Sequence, residues 1–225
     1  MKGANYLFLF LCLFALPLSL SAQQNGNWLM YFGTNRISET LSIHTEIQHR
    51  NNTIAPVNLE QLLLRTGLNY HFSDKAFVTA GYGYITNYDI EGSLEGPESK
   101  EHRVWQQFIL NNKIGRVKFE HRYRIEQRWV NLNYKARFRY RLMLLLPINK
   151  PQIETGTLFI GVYDEVFINS KSTFFDRNRL YGALGYQFSS TIGVQLGVLF
   201  QQVSDFGKCY FQCGVTYNPD FSNRE

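Results

Sequence analysis

The segment Arg116–Val130, RVKFEHRYRIEQRWV, decides the fold class. Val117, Phe119, His121, Tyr123, Ile125 and Trp129 take alternate positions, and Lys118, Glu120, Arg122, Arg124, Glu126 and Arg128 take the positions between them. Successive side chains of a strand point to opposite faces, so six charged groups share one face and a mostly apolar row the other. A helix would scatter the same charges around its circumference. Only Gln127 softens the second row. The next segment repeats the order, with Ala136, Phe138, Tyr140, Leu142, Leu144 and Leu146 set against Arg137, Arg139 and Arg141.

Working outward, the same period of two recurs. Leu41, Ile43, Thr45 and Ile47 alternate with Ser42, His44, Glu46 and Gln48. Leu64, Leu68 and Tyr70 alternate with Arg65, Gly67 and Asn69, and Val78, Ala80 and Tyr82 with Thr79, Gly81 and Gly83. Leu180, Leu184 and Tyr186 alternate with Arg179, Tyr181 and Gln187, and Val194, Leu196 and Val198 with Gly193, Gln195 and Gly197. Phe211, Cys213, Val215 and Tyr217 close the series. Such segments, parted by turn residues, are the signature of an all-β transmembrane antiparallel β-barrel. Ten strands are expected from about Ser38 to Asn218, with both ends on the periplasmic side, and Trp28–Asn35 is a further candidate. The expectation is therefore 10–12 strands, although an even number is the rule in bacterial barrels. His102–Asn112 and Thr157–Asn169 alternate less clearly, and Asp164 among apolar positions suggests a β-bulge.

Tight connections are expected at 73–75, 111–113 and 189–191, and longer ones at 89–101, 170–178 and 204–208. Pro147–Gly156 breaks the alternation. Short periplasmic turns and long outer loops are the usual asymmetry. Tyr84, Tyr88, Trp105, Trp129 and Tyr217 fall near segment ends, where interfacial girdles form.

The N-terminus reads as a secretory signal peptide over residues 1–22, leaving 23–225 as one barrel domain. Lys2 supplies the positive charge, Tyr6–Leu18 the apolar run, and Ser19, Ser21 and Ala22 the small-residue exit before Gln23. The apolar run is shorter than the roughly 20 residues of a spanning helix. Cys12 lies inside that run after Leu11, which excludes a lipoprotein site. Cys209 and Cys213 are four apart, about 13 Å along a strand. A disulfide needs Cα atoms within about 7 Å, so none is expected.

The composition agrees with a barrel. The chain has 225 residues, 18% charged and 16% aromatic, with a net charge of +5. Mean hydropathy is only −0.25, which excludes a bundle of apolar spanning helices. A secreted lipocalin-like barrel is the alternative; it would turn the apolar face inward and the charges outward. Segments of about 12 residues exceed ordinary soluble strands and suit a tilted crossing, which needs about 9–11. The expected location is therefore the outer membrane of a Gram-negative-type bacterium.

With lipid outside, Glu120, Arg122, Arg124, Glu126, Arg128, Arg137, Arg139, Arg141 and Glu165 form a charged cluster in the lumen, with Glu46 as a further candidate. The two arginine-rich strands are neighbours, and like charges directly opposite repel, so carboxylates should interleave. Two readings follow. One is a small porin-like pore for anionic solutes through an Arg/Glu-lined lumen. The other is a non-conducting structural or adhesion barrel filled by an ion-pair ladder. An outer-membrane lipid hydrolase ranks third. His44, His49, His71, His102 and His121 are the histidines available, but no G-x-S-x-G elbow, HExxH or phosphate loop occurs. No enzyme activity, catalytic residue, cofactor or metal site is expected. Export and the alternation of the basic residues with apolar ones argue against nucleic acid.

Several stretches carry a family resemblance. They are His102-Arg103-Val104-Trp105-Gln106-Gln107, Glu120–Trp129 (EHRYRIEQRW), Arg137–Leu142 (RFRYRL), Tyr163–Asn169 (YDEVFIN) and Asp176–Gly182 (DRNRLYG). Their order and spacing resemble the uncharacterised bacterial outer-membrane proteins grouped as domain-of-unknown-function family 2490, over nearly all of the chain after the signal. The resemblance implies a β-barrel in the outer membrane and assigns no activity. The partners of such a barrel would be outer-membrane lipid, lipopolysaccharide, the barrel-assembly machinery and a solute the sequence does not identify.

Overall fold

The computed structural model describes residues 25–54, 58–89, 96–170, 174–204 and 206–222. The proposed signal peptide and its cleavage point lie outside these residues. Eleven strands follow one another: β1 (Gly26–Arg36), β2 (Leu41–Thr53), β3 (Asn58–Ser73), β4 (Ala76–Asn87), β5 (Ser99–Ile114) and β6 (Val117–Val130). Then come β7 (Asn133–Pro147), β8 (Thr157–Asn169), β9 (Phe175–Gln187), β10 (Ile192–Val203) and β11 (Phe206–Tyr217). Each strand pairs antiparallel with the next, and the sheet closes on itself.

The count of 11 lies within the expected range, and the segment around Trp28 is indeed a strand. The odd number is resolved at the seam, where β1 pairs with β11 in parallel from Gly26↔Tyr210 to Gly33↔Tyr217. Ser38 and Asn218, the expected limits of the ten-strand run, stand at the same end, where Arg36 N donates to Pro219 O at 2.9 Å; the additional strand β1 starts at the other end, beside Tyr210.

The loop asymmetry is corrected. The two-residue turn Asn131-Leu132 and the direct Val203↔Phe206 pairing stand at the end expected to carry long loops. Asn131 and Leu132 take positive φ values of 45° and 70° to make that turn. At the opposite end β5 runs on to Ile114, and Gly115 turns the chain with φ 60°.

Which face is outside is answered by β6. Ile125 is 50% exposed, while its neighbours Arg124 and Glu126 are 2% and 0% exposed. The rule holds around the barrel: Leu29, Ile47, Leu68, Leu184 and Leu196 are exposed, and Glu46, Arg65, Glu165, Arg179 and Gln212 are buried. A lipocalin-like arrangement, with apolar side chains inward, is therefore excluded for this fold. Aromatic groups gather outside at both ends. Trp129 and Tyr134 (ring centroids 5.5 Å apart) and Tyr84 and His102 (5.4 Å) mark one end; Tyr70 and Phe72 (5.3 Å) and Tyr186 and Phe188 (4.8 Å) mark the other.

Trp105 does not belong to a girdle. Its side chain is fully buried inside the barrel. Room for the ring comes from Gly81 across the pair, where a Cβ would sit 2.4 Å from Trp105 Cζ2. The bulge expected at Asp164 is absent: Asp164 pairs in register with Leu142 and Leu180 and lies on the outer face, accepting from Asn178 Nδ2 at 3.1 Å. The irregularity falls instead between Phe167 and Ile168, opposite Arg177 and Phe175. It leaves Asp176 without a partner in the ladder and so turns that carboxylate inward, as bulges do.

Candidate functional site

The interior has three levels along the barrel axis. A layer of ion pairs closes one half. A chamber floored by arginines occupies the middle. Its mouth opens at the end that carries the β3–β4 and β5–β6 turns.

The layer centres on Glu126, which is shielded from water on every side. Its carboxylate accepts from Arg137 Nη2 and Arg139 Nη1, both at 2.7 Å, and from Arg103 Nη1 at 3.3 Å. Arg65 and Arg124 stand at 3.6 and 3.8 Å. Glu101 receives Arg128 through two bonds, 2.7 and 2.8 Å, and Arg103 Nε at 2.7 Å. The inward-turned Asp176 accepts from Arg137 Nη1 at 3.0 Å. Below the layer, Glu165 joins Arg122 (2.6 Å) to Arg139 (2.8 Å), and Glu46 holds Arg65 (3.1 Å).

The reason for this arrangement lies in the register. Arg124 stands directly opposite Arg139, and Arg122 opposite Arg141. Like charges in such positions repel, and a buried unpaired ion costs several kcal/mol. Glutamates one pair further along, or one strand over, slot between them. Glu165 lies directly opposite Arg141 and binds Arg139, its diagonal neighbour, and Arg122 one strand further on. Aromatic faces take up part of the remaining charge. Arg139 lies 4.3 Å above Phe167, Arg124 4.6 Å above Trp105, and Arg50 4.0 Å above Trp28.

The chamber has a volume of about 710 Å³. Arg122, Arg124, Arg139 and Arg179 contribute to its floor, with Glu46 and Glu165. Arg141 and Glu120, paired with each other, lie one level nearer the mouth. Above them the lining turns apolar at Phe32, Phe77, Ile109, Met143, Leu145 and Phe159. Lys75, Lys113, Arg116 and Lys118 stand around the mouth.

All nine residues expected in the lumen are on the inner face. Glu126, Arg128 and Arg137 belong to the closing layer, whereas Glu120, Arg122, Arg124, Arg139, Arg141 and Glu165 line the chamber. Sequence reasoning missed Glu101, Arg103, Asp176 and the buried aromatics. In β5 the inward row is Glu101, Arg103, Trp105, Gln107 and Ile109, and the outward row is His102, Val104, Gln106, Phe108 and Leu110. Both rows mix polar with apolar side chains, so polarity alone does not tell them apart. The usable signal was pairing: Arg103 falls directly opposite Arg128, so a carboxylate was needed beside them, and Glu101 stands diagonal to Arg128.

Four of the five histidines meet polar side chains. His44 binds Glu46 (3.2 Å), His121 binds Tyr140 (2.9 Å), and His102 binds Tyr82. Ser42 Oγ and His71 Nε2 are 2.8 Å apart, but Ser42 is completely buried and also receives Asn69 Nδ2 at 2.9 Å. A nucleophile must be reachable by its substrate, and Ser42 is not.

No curated protein and no solved structure matches the chain. The family described as "Protein of unknown function (DUF2490)" matches residues 25–212, which is β1 through most of β11. With that match over most of its length, and with the lumen arginines and glutamates inside the matched region, the chain belongs to this family.

Proposed function

We propose that this protein is an integral outer-membrane barrel, exported by a cleaved signal peptide, that crosses the membrane without conducting through it. It acts as a non-enzymatic barrel with a blind chamber at one end. The observation that carries this reading is the placement of Arg124, Ile125 and Glu126: an exposed apolar side chain between two buried ions. An apolar belt of this extent needs a partner that is not water, and lipid between two aromatic girdles supplies one. The partners are then membrane lipid, lipopolysaccharide and the assembly machinery.

An open pore is disfavoured by the layer. Glu101, Arg103, Glu126 and Arg137 are each at most 6% exposed, so ions would have to part the network to pass. The test is protein refolded into detergent and then into planar bilayers. A heat-dependent shift in gel mobility without current steps is the expected result. Anion-selective steps from the same preparation would replace this reading with the pore. Protein that stays soluble without detergent and shows no shift would overturn the membrane assignment.

A further inference from the structure

The chamber departs from what a barrel interior ordinarily is. Inward positions of membrane barrels are polar, yet Phe32, Phe77, Ile109, Met143, Leu145 and Phe159 all point inward just inside the mouth. They come from β1, β4, β5, β7 and β8 and so form a collar rather than a stripe. Below the collar the lining carries seven arginines against three glutamates. Among the described residues, Arg50 and Arg179 have no carboxylate within ion-pair distance; Arg50 binds Gln48 and Gln61, and Arg179 binds Gln201. Arg124 has its two hydrogen bonds on Gln107, and its nearest carboxylate is at 3.8 Å. Arg122 Nε and Arg141 Nε have no hydrogen-bond acceptor. The floor therefore holds more positive charge than its own carboxylates balance.

We infer that the chamber binds an amphiphilic anion, with a carboxylate or phosphate on Arg122 and Arg141 and an apolar tail running through the collar towards the mouth. This inference does not depend on whether the barrel conducts. An anion supplies the missing countercharge, and guanidinium groups suit both head groups because they bind planar oxygens in pairs. The tail covers the half-buried Phe32, Phe77, Met143 and Leu145, which otherwise face water in the mouth. The volume lies within the roughly 300–1,000 Å³ of small-molecule sites. The lysines at the mouth attract the anion on its way in.

The experiment uses the full barrel in nanodiscs of zwitterionic lipid, with empty nanodiscs as the blank. Binding of dodecyl phosphate, laurate, dodecanol and inorganic phosphate is followed by calorimetry. The expected result is saturable binding of dodecyl phosphate and laurate. Each should bind at least tenfold more tightly than dodecanol or inorganic phosphate, a gap of about 1.4 kcal/mol. Arg122→Gln should weaken the two anions about tenfold and leave dodecanol unchanged. Met143→Gln should weaken both anions and leave inorganic phosphate unchanged, and the gel shift confirms that each variant is folded. Equal binding of dodecanol would overturn the anion part of the inference, and equal binding of inorganic phosphate the tail part. No binding above the blank would overturn both. A chain that does not enter nanodiscs refutes the membrane reading instead, and the same titration is then decisive in buffer.

Discussion

Arg124 and His71 stand at opposite ends of one hydrogen-bond chain. Arg124 Nη2 donates to Gln107 Oε1 (2.7 Å), Gln107 to Thr79 (3.1 Å), Thr79 to Asn69 (2.6 Å) and Asn69 to Ser42 (2.9 Å). Ser42 then meets His71 Nε2 at 2.8 Å. Every link runs in one direction when His71 accepts at Nε2, so the chain satisfies Ser42, Asn69, Thr79 and Gln107 at once. It ties β6, β5, β4, β3 and β2 together from inside the barrel.

Ser42→Ala interrupts this chain and leaves the Asn69 amide buried without its acceptor. The expected cost is about 1–3 kcal/mol, read as a lower unfolding midpoint in denaturant. The substitution also separates structure from catalysis. Wild-type protein should show no ester hydrolysis that Ser42→Ala abolishes, and any such activity would restore the hydrolase.

Glu126 serves five guanidinium groups, so Glu126→Leu should be among the most damaging single changes. Loss of one partner from a buried ion cluster costs about 3–5 kcal/mol. Lys113→Ala at the exposed mouth should stay within about 0.5 kcal/mol. Equal midpoints for the two variants would show that the layer contributes nothing to stability.

Ile125→Arg tests the outer face at the position next to the layer. With lipid outside it should cost about 2–4 kcal/mol of folding into vesicles, as arginine does near the midplane of a barrel. With water outside it would be close to neutral.

The three tryptophans divide by face. Trp28 and Trp105 are buried inside and Trp129 is on the outer belt. In single-tryptophan variants, lipids brominated near the head group should quench Trp129 and leave Trp105 bright. The opposite pattern would reverse the barrel.

Cys209 and Cys213 are free and share the outer face of β11. At about 13 Å along the strand they should stay unpaired under an oxidant. An intact-mass loss of two hydrogens in the folded barrel would show that β11 is not extended.

The strands and their inner faces were legible where one row was uniformly charged, as in Lys118–Arg128 and Arg137–Arg141. There the period of two leaves a single choice. Three things were not legible, each for a physical reason. Trp105 looked interfacial because a tryptophan at a strand end usually is; Gly81, which makes room for it inside, lies on another strand. Asp176 could not be placed because a bulge changes the parity of the residues around it. The seam could not be deduced because alternation shows that a strand exists and not which way its outer neighbour runs. The candidate site suffered most, since a chamber is made by the levels that different strands bring together.

The parallel β1–β11 seam also bears on assembly order. Its partners are far apart along the chain; the bond from Thr34 N to Asn218 Oδ1 (3.0 Å) spans 184 residues. Closing so long a loop is entropically expensive and comes late. The first strand made must therefore wait, with one edge unpaired, for the last, and an unpaired edge is where another strand can add. Because the two ends leave the barrel on opposite sides, no short linker could join them, and circular permutation, which needs neighbouring termini, is closed to this barrel.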